Sequence, residues 1–355
     1  MWCGGLWNEP VPAGVVAGMT IPLSVLDLAP VSAGRTVQQA VAESVALARH
    51  AEALGYGRIW VAEHHGMPGI ASSAPAVLLA ALGAATSTIR IGSGGVMLPN
   101  HAPLVVAEQF ATLEALYPGR VDLGLGRAPD TDQRTSQLLR RGDSDDFPGD
   151  LALLRALLEG PVQGIVAAPA GESSPDVWLL GSSGYSAQLA GLLGLPFAFA
   201  HHFSGENTVP ALALYRSTFR PGVLAQPHAM VCASVLVADD GEQARREALP
   251  GALSFVHLRQ GRPGVLPTVA QAQAHAWTPQ ERSFAEHRLD SQVLGSPDEV
   301  SRGLERLLDE TGADELMVTT SAHDPAVRLR SYELLAGLGS REQGTLALPA
   351  VRSAV

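Results

Sequence analysis

Apolar positions along this chain repeat with two different periods, and the two alternate. Eight short runs rich in β-branched and aromatic residues read as strands: 21–28 (IPLSVLDL), 58–62 (RIWVA), 89–97 (IRIGSGGVM), 121–126 (VDLGLG), 176–180 (DVWLL), 197–200 (FAFA), 229–237 and 315–319 (ELMVT). Between them, apolar residues return at helical spacing over 36–54, 74–85, 102–116, 151–158, 186–193, 209–219, from 241 onward, 297–311 and 326–338. Gly55 closes the first helix and Pro118-Gly119 stops the third. Strands alternating with helices imply a parallel sheet, and eight such units imply a closed (β/α)8 barrel, an α/β fold of the TIM-barrel type.

Two stretches break the alternation. Residues 127–150 are rich in Asp and Arg and read as a loop with a short helix over the barrel mouth. Residues 258–290 show no steady period and read as a second insertion. The expected organisation is one barrel domain over 20–340, with lids at 127–150 and 258–290. A flexible N-terminal tail (1–19) and a C-terminal tail (341–355) flank it. There is no internal repeat.

Composition narrows the function classes. Hydrophobic residues make up 46% and charged residues 17%, enough for a large core. The net charge of −11 argues against nucleic acid, which needs a basic face. Cys3 and Cys232 form no CxxC pattern, which argues against a disulfide framework or a structural zinc site and fits two thiols in a reducing cytoplasm. No apolar run is long enough to span a bilayer, and the N-terminus lacks the basic start of a signal peptide. All 24 basic residues are arginine. Schiff-base aldolases, pyridoxal-phosphate enzymes, P-loop NTPases and kinases each need a lysine amine and drop out.

The residues with chemistry to offer fall at strand ends, where parallel barrels carry their active sites. These are Asp27, Glu63-His64-His65, Gly94-Gly95, Gly126-Arg127, Gly181-Ser182-Ser183-Gly184 and His201-His202. Neighbouring strand residues face opposite ways, so His64 and His65 do not share a ligand unless both lie beyond the strand end. The histidines lack the i, i+4 pairing of zinc proteases, so no metal is assigned. The alternative for each is a structural histidine held by backbone. Gly181 to Ser186, ahead of a helix, would form an anion cradle from exposed amides and hydroxyls, or else a plain serine-capped turn. Arg127 would neutralise the same anion, or else pair with Asp130 or Asp132. Glycines at 94 and 95 suit either a flat ligand lying close or a bulge in the strand.

Taken together, these segments resemble the luciferase-like flavin monooxygenase family. AEALGYGRIWVAEHHGMPGIASSAPAVLLAAL, IRIGSGGVMLPNHAPLVVAEQFATLEALYPGRVDLGLGRAPDTDQ, LLGSSGYSAQLAGLLGLPFAFAHHF and LGSPDEVSRGLERLLDETGADELMV carry the resemblance, which spans roughly 21–338. It implies FMN at the C-terminal mouth of the barrel, with a non-proline cis peptide at Gly94-Gly95 behind it. It implies His64 beside the flavin as acid, base or hydrogen-bond partner. Arg127 and the turn Gly181, Ser182, Ser183, Gly184 and Tyr185 would take the phosphate. Asp27, Gly126 and His201 join the candidate cofactor set from their strand ends. The chain departs from light-emitting luciferase at Gly181, where that protein has glutamate, and at Gly126, where it has a reactive cysteine. Both departures argue against light emission.

The implied activity is a monooxygenase. Reduced FMN, as co-substrate from a separate NAD(P)H:flavin reductase, would activate oxygen to oxygenate a small organic substrate. A cytoplasmic homodimer, with no nucleic-acid or membrane partner, is the matching expectation. The rivals are a deazaflavin-dependent hydride-transfer oxidoreductase, a non-catalytic flavin-binding protein, and a metal-dependent barrel hydrolase.

Overall fold

Side chains alternate across a strand, so one face of each barrel strand points at the surrounding helices and the other into the barrel. In the computed structural model, which describes residues 13–16, 19–127, 133–139, 146–171 and 173–340, this alternation builds two nested cores. The strands are β1 (Met19–Asp27), β2 (Arg58–Val61), β3 (Arg90–Ser93), β4 (Val121–Gly126), β5 (Asp176–Gly181), β6 (Phe197–Phe199), β7 (Ala229–Val237) and β8 (Glu315–Thr319). Each pairs in parallel with the next. β8 also pairs with β1, Leu316 opposite Leu23, and the sheet closes.

The outward set includes Val25, Ile59, Val61, Ile91, Leu123, Val231, Leu316 and Val318, packed against the helices. The inward set is Leu26, Trp60, Ala62, Trp178, Ala198, Met230, Cys232 and Met317. Trp60 and Trp178 are fully buried and meet edge to face at 5.3 Å.

Three short strands extend the sheet. Ala13–Val16 runs antiparallel to the start of β1, inside the segment expected from sequence to be a loose tail. Val96–Met97 pairs with the end of β4, and Val293–Gly295 with the end of β7. The 258–290 stretch forms two helices, Val269–Ala274 and Pro279–Asp290. Each opens with a capping box, Thr268 with Gln271 and Thr278 with Glu281. They pack on the helix Gly241–Arg259 around a separate small core that includes Ala248, Ala252, Ala285 and Leu289. Of the first lid stretch, Arg127, the helix Gln133–Leu138 and the start of the helix Phe147–Glu159 are described. Residues 128–132 and 140–145 lie outside the described residues, as do 1–12 and 341–355.

Charge closes the barrel at its N-terminal end. Arg58 Nη1 donates to both carboxylate oxygens of Asp122 at 2.9 and 3.0 Å, and Arg58 Nε donates to Glu315 at 2.9 Å. Arg90 bridges Asp122 and Asp176, and Trp60 Nε1 donates to Asp122 at 2.9 Å. Burial would raise the Asp122 carboxyl, but the Arg58 and Arg90 charges hold it below the ordinary range. The floor is therefore ionic, and any cavity in the barrel must open at the other end.

Candidate active site at the barrel mouth

A cavity of about 360 Å³ lies at the C-terminal end of the barrel. That is within the span of small-molecule and cofactor sites, roughly 300–1,000 Å³. Its floor is the upper layer of the inward set: Leu26, Trp60, Ala62, Leu180, Ala198, Cys232 and Met317. Residues from β1, β2, β5, β6, β7 and β8 meet in this floor, as inward side chains of successive strands do in a barrel.

His64 continues the inward phase of Trp60 and Ala62, and so reaches the cavity. Its backbone N–H donates to the Ser72 carbonyl at 3.0 Å, which fixes the strand end. Glu63, on the opposite phase, is fully buried and accepts from Met97 N at 3.0 Å, His65 Nε2 at 2.8 Å and His101 Nε2 at 2.9 Å. Burial would raise the Glu63 carboxyl; the His101 and His65 contacts and the Met97 amide hold it down. Glu63 thus ties the segment after β3 to the end of β2. That segment carries the peptide between Gly94 and Gly95, which is cis and lines the cavity. A Cβ on Gly95 would run into Leu180 and lie 2.8 Å from the Gly124 carbonyl oxygen. Packing against β4 therefore already demands glycine at this position.

Opposite lies a polar rim. β5 ends at Gly181, and the helix Gly184–Leu193 follows with Ser183 at its N-cap. Ser183 makes no side-chain capping bond, whereas Thr36, Asp240, Thr268, Thr278, Ser296 and Asp324 all cap their helices. Gly181, Ser182, Ser183, Tyr185 and Ser186 line the cavity, so the first turn of this helix opens onto it. Arg127, at the end of β4, lies with its guanidinium carbon 4.3 Å from the centre of the Tyr185 ring. A helix N-terminus, two serine hydroxyls and an arginine on one rim form a donor set for an anion.

Nine of the sequence-derived candidates share the cavity: His64, Gly94, Gly95, Gly126, Arg127, Gly181, Ser182, Ser183 and Tyr185. Three do not. Asp27 follows Leu26 and so faces outward, where its Oδ1 accepts from Ala29 N at 2.8 Å and from Arg328 at 2.5 Å. Gly184 begins the helix, and a Cβ there would meet Leu214 at 3.1 Å. His201 lies in the turn after β6, and its Nδ1 lies 2.8 Å from the Thr208 hydroxyl.

His202 is the residue that reaches the cavity instead. Its backbone N–H and its Nδ1–H both donate to the Cys232 carbonyl, at 2.9 and 3.1 Å. Burial pushes its pKa down to about 4, against the pull of that carbonyl. Residues 201–203 form a turn after β6, so strand alternation carries no signal that separates His202 from His201. Beside it stands Phe203, also a lining residue and 60% exposed.

Comparison with known proteins agrees with this geometry. The family model described as luciferase-like monooxygenase matches residues 21–315. A luciferase-like monooxygenase of Escherichia coli (strain K12) is 49% identical over 322 residues, covering 89% of this chain and 96% of that protein. An N-acetyl-S-alkylcysteine monooxygenase of Bacillus subtilis (strain 168) is 34% identical over 335 residues, covering 89% and 97%. The crystal structure of apo-MsnO8 is 41% identical with a TM-score of 0.83, covering 90% of this chain and 98% of its own.

Proposed function

This chain belongs to the luciferase-like monooxygenase family, and on that premise we propose that it is an FMN-dependent monooxygenase acting on a small organic substrate. The observation that carries this reading is the meeting of two unlike surfaces in one cavity. An apolar, glycine-backed pocket suits a flat ring, and the rim of Arg127, Ser182, Ser183 and the helix start at Gly184 suits a phosphate.

When bound, reduced flavin supplies the electrons that activate oxygen, and one oxygen atom enters the substrate while the other leaves as water. The chain's own residues do the rest. Arg127 and the serine turn hold the phosphate, with Tyr185 fixing the arginine plane. Leu26, Leu180 and Met317 keep water from the ring. Gly94 and Gly95 present backbone without side chains to it. His64, the cavity histidine on β2's inward phase, holds or moves a proton at its ring nitrogen. A separate reductase supplies the reduced flavin, and the protein works in the cytoplasm as a homodimer.

Isotopically labelled oxygen tests this reading. Protein, reduced FMN and a panel of small organic compounds should give a product carrying one labelled atom. Turnover that proceeds without oxygen, using a deazaflavin as hydride carrier, would transfer the reading to the hydride-transfer class.

A further inference from the structure

The outer part of the cavity has a chemistry of its own. Phe203 stands at the rim, and its ring meets Phe255 edge to face at 6.5 Å. Phe255 in turn stacks on Phe284 at 5.6 Å, with the planes 8° apart. Phe255 lies on the helix Gly241–Arg259 and Phe284 on the helix Pro279–Asp290, so two helices stand behind Phe203 in a chain of aromatic rings. Arg288 locks the arrangement: its guanidinium lies 4.6 Å from the Phe255 ring centre, and its Nη1 donates to the His202 carbonyl. An exposed phenylalanine with this much built behind it is a wall rather than a stray surface residue.

Next to that wall is a fixed acceptor. The Cys232 carbonyl can only accept, so His202 Nδ1 carries the proton and Nε2 carries the lone pair. With the pKa near 4, the ring stays in that form at neutral pH. Charge is the third constraint. Among the described lining residues there is no carboxylate, and the one arginine, Arg127, belongs to the anion rim. A cation would find no carboxylate there. Arg288, beside the wall, is engaged with the His202 carbonyl and the Phe255 ring and does not line the cavity, so a second anion would have no lining partner, and an unpaired charge is costly in such a place.

We propose that the substrate is an uncharged aromatic molecule bearing an O–H or N–H, its ring packed on Phe203 and its donor accepted by His202 Nε2. This deepens the monooxygenase reading and rests on it for the reaction, though the aromatic subsite can be measured alone. An electron-rich aromatic ring is also a chemically suitable acceptor of an oxygen atom.

The test is calorimetric titration of FMN-saturated protein with 2-naphthol, naphthalene and 2-naphthoate. 2-Naphthol should bind about tenfold more tightly than naphthalene, from the added hydrogen bond. 2-Naphthoate should bind at least about tenfold more weakly than 2-naphthol, from its unpaired charge. Phe203→Ala, at an exposed position, should weaken 2-naphthol by up to about tenfold. His202→Phe should erase the preference for 2-naphthol over naphthalene. Equal or tighter binding of 2-naphthoate, or unchanged 2-naphthol binding in both variants, overturns the proposal. Failure of FMN to saturate the protein counts against the flavin reading. The naphthol series, repeated without FMN, then still decides the subsite.

Discussion

Arg58 and Asp122 face each other inside the barrel through a two-bonded contact at 2.9 and 3.0 Å, with side chains 4% and 0% exposed. They belong to β2 and β4, separated by β3, so the pair reaches across a strand and sets the floor on which the cavity rests. Such a pair adds little to net stability, because both charges had to leave water. Removing Asp122 leaves Arg58 with Glu315 and Arg90 with Asp176, but takes one negative charge and three side-chain partners out of a buried network. Asp122→Asn should cost about 3–5 kcal/mol, read as a lower denaturation midpoint. An unchanged midpoint would mean that the floor is not ionic in solution.

A second carboxylate gives a pH signature. Glu52 Oε1 accepts from the backbone N–H groups of Ser87 at 2.8 Å and Ile89 at 3.0 Å, and from Thr88. Burial is the largest single influence and raises its pKa, but these bonds together outweigh it and bring the pKa to about 2, below the unfolded value of 4.5. A depressed native carboxyl stabilises fully above the unfolded pKa and loses that contribution as pH falls toward the native one. Glu52→Gln should therefore lower the thermal midpoint at pH 7, and the gap to the parent should shrink between about pH 5 and pH 2. A gap constant over that window would refute the assignment.

Gly95 is a packing requirement as much as a ligand-facing position. The clash of an added methyl with Leu180 and the Gly124 carbonyl predicts that Gly95→Ala destabilises by about 1–3 kcal/mol. Chemical denaturation measures this without any ligand. A neutral substitution would show that the β3–β4 contact is looser than described.

Much of this architecture was legible because the strands carry their own period. β4, β7 and β8 begin and end where the apolar runs do, since buried parallel strands are apolar on both faces. The same period places His64 inside and Asp27 outside. Asp27 was misread because its partner, Arg328, lies 301 residues away in sequence. The helix Pro279–Asp290 was missed because it is largely polar with only Ala285 and Leu289 buried; its capping box was the readable signal. The ionic floor was visible only as charges at strand starts, Arg58, Arg90, Asp176 and Glu315, which alternation alone does not connect.

His64 separates binding from chemistry. It shares the cavity but comes from the segment just after β2, whereas the anion rim is built on the ends of β4 and β5. His64→Ala should lower kcat by about 10²–10⁴-fold while leaving FMN affinity within a few-fold. The reverse pattern, weak FMN binding with intact turnover, would make it a binding residue only.

The central claim is that the Arg127 rim holds the phosphate of a flavin. Titration of the purified protein with FMN and reduced FMN, followed by absorbance and fluorescence, addresses it directly, with Arg127→Ala alongside. Saturable binding, weakened about 10- to 100-fold in the variant, is the predicted result, as befits loss of a charge-assisted contact. No binding of either form, or equal binding by parent and variant, would contradict the account.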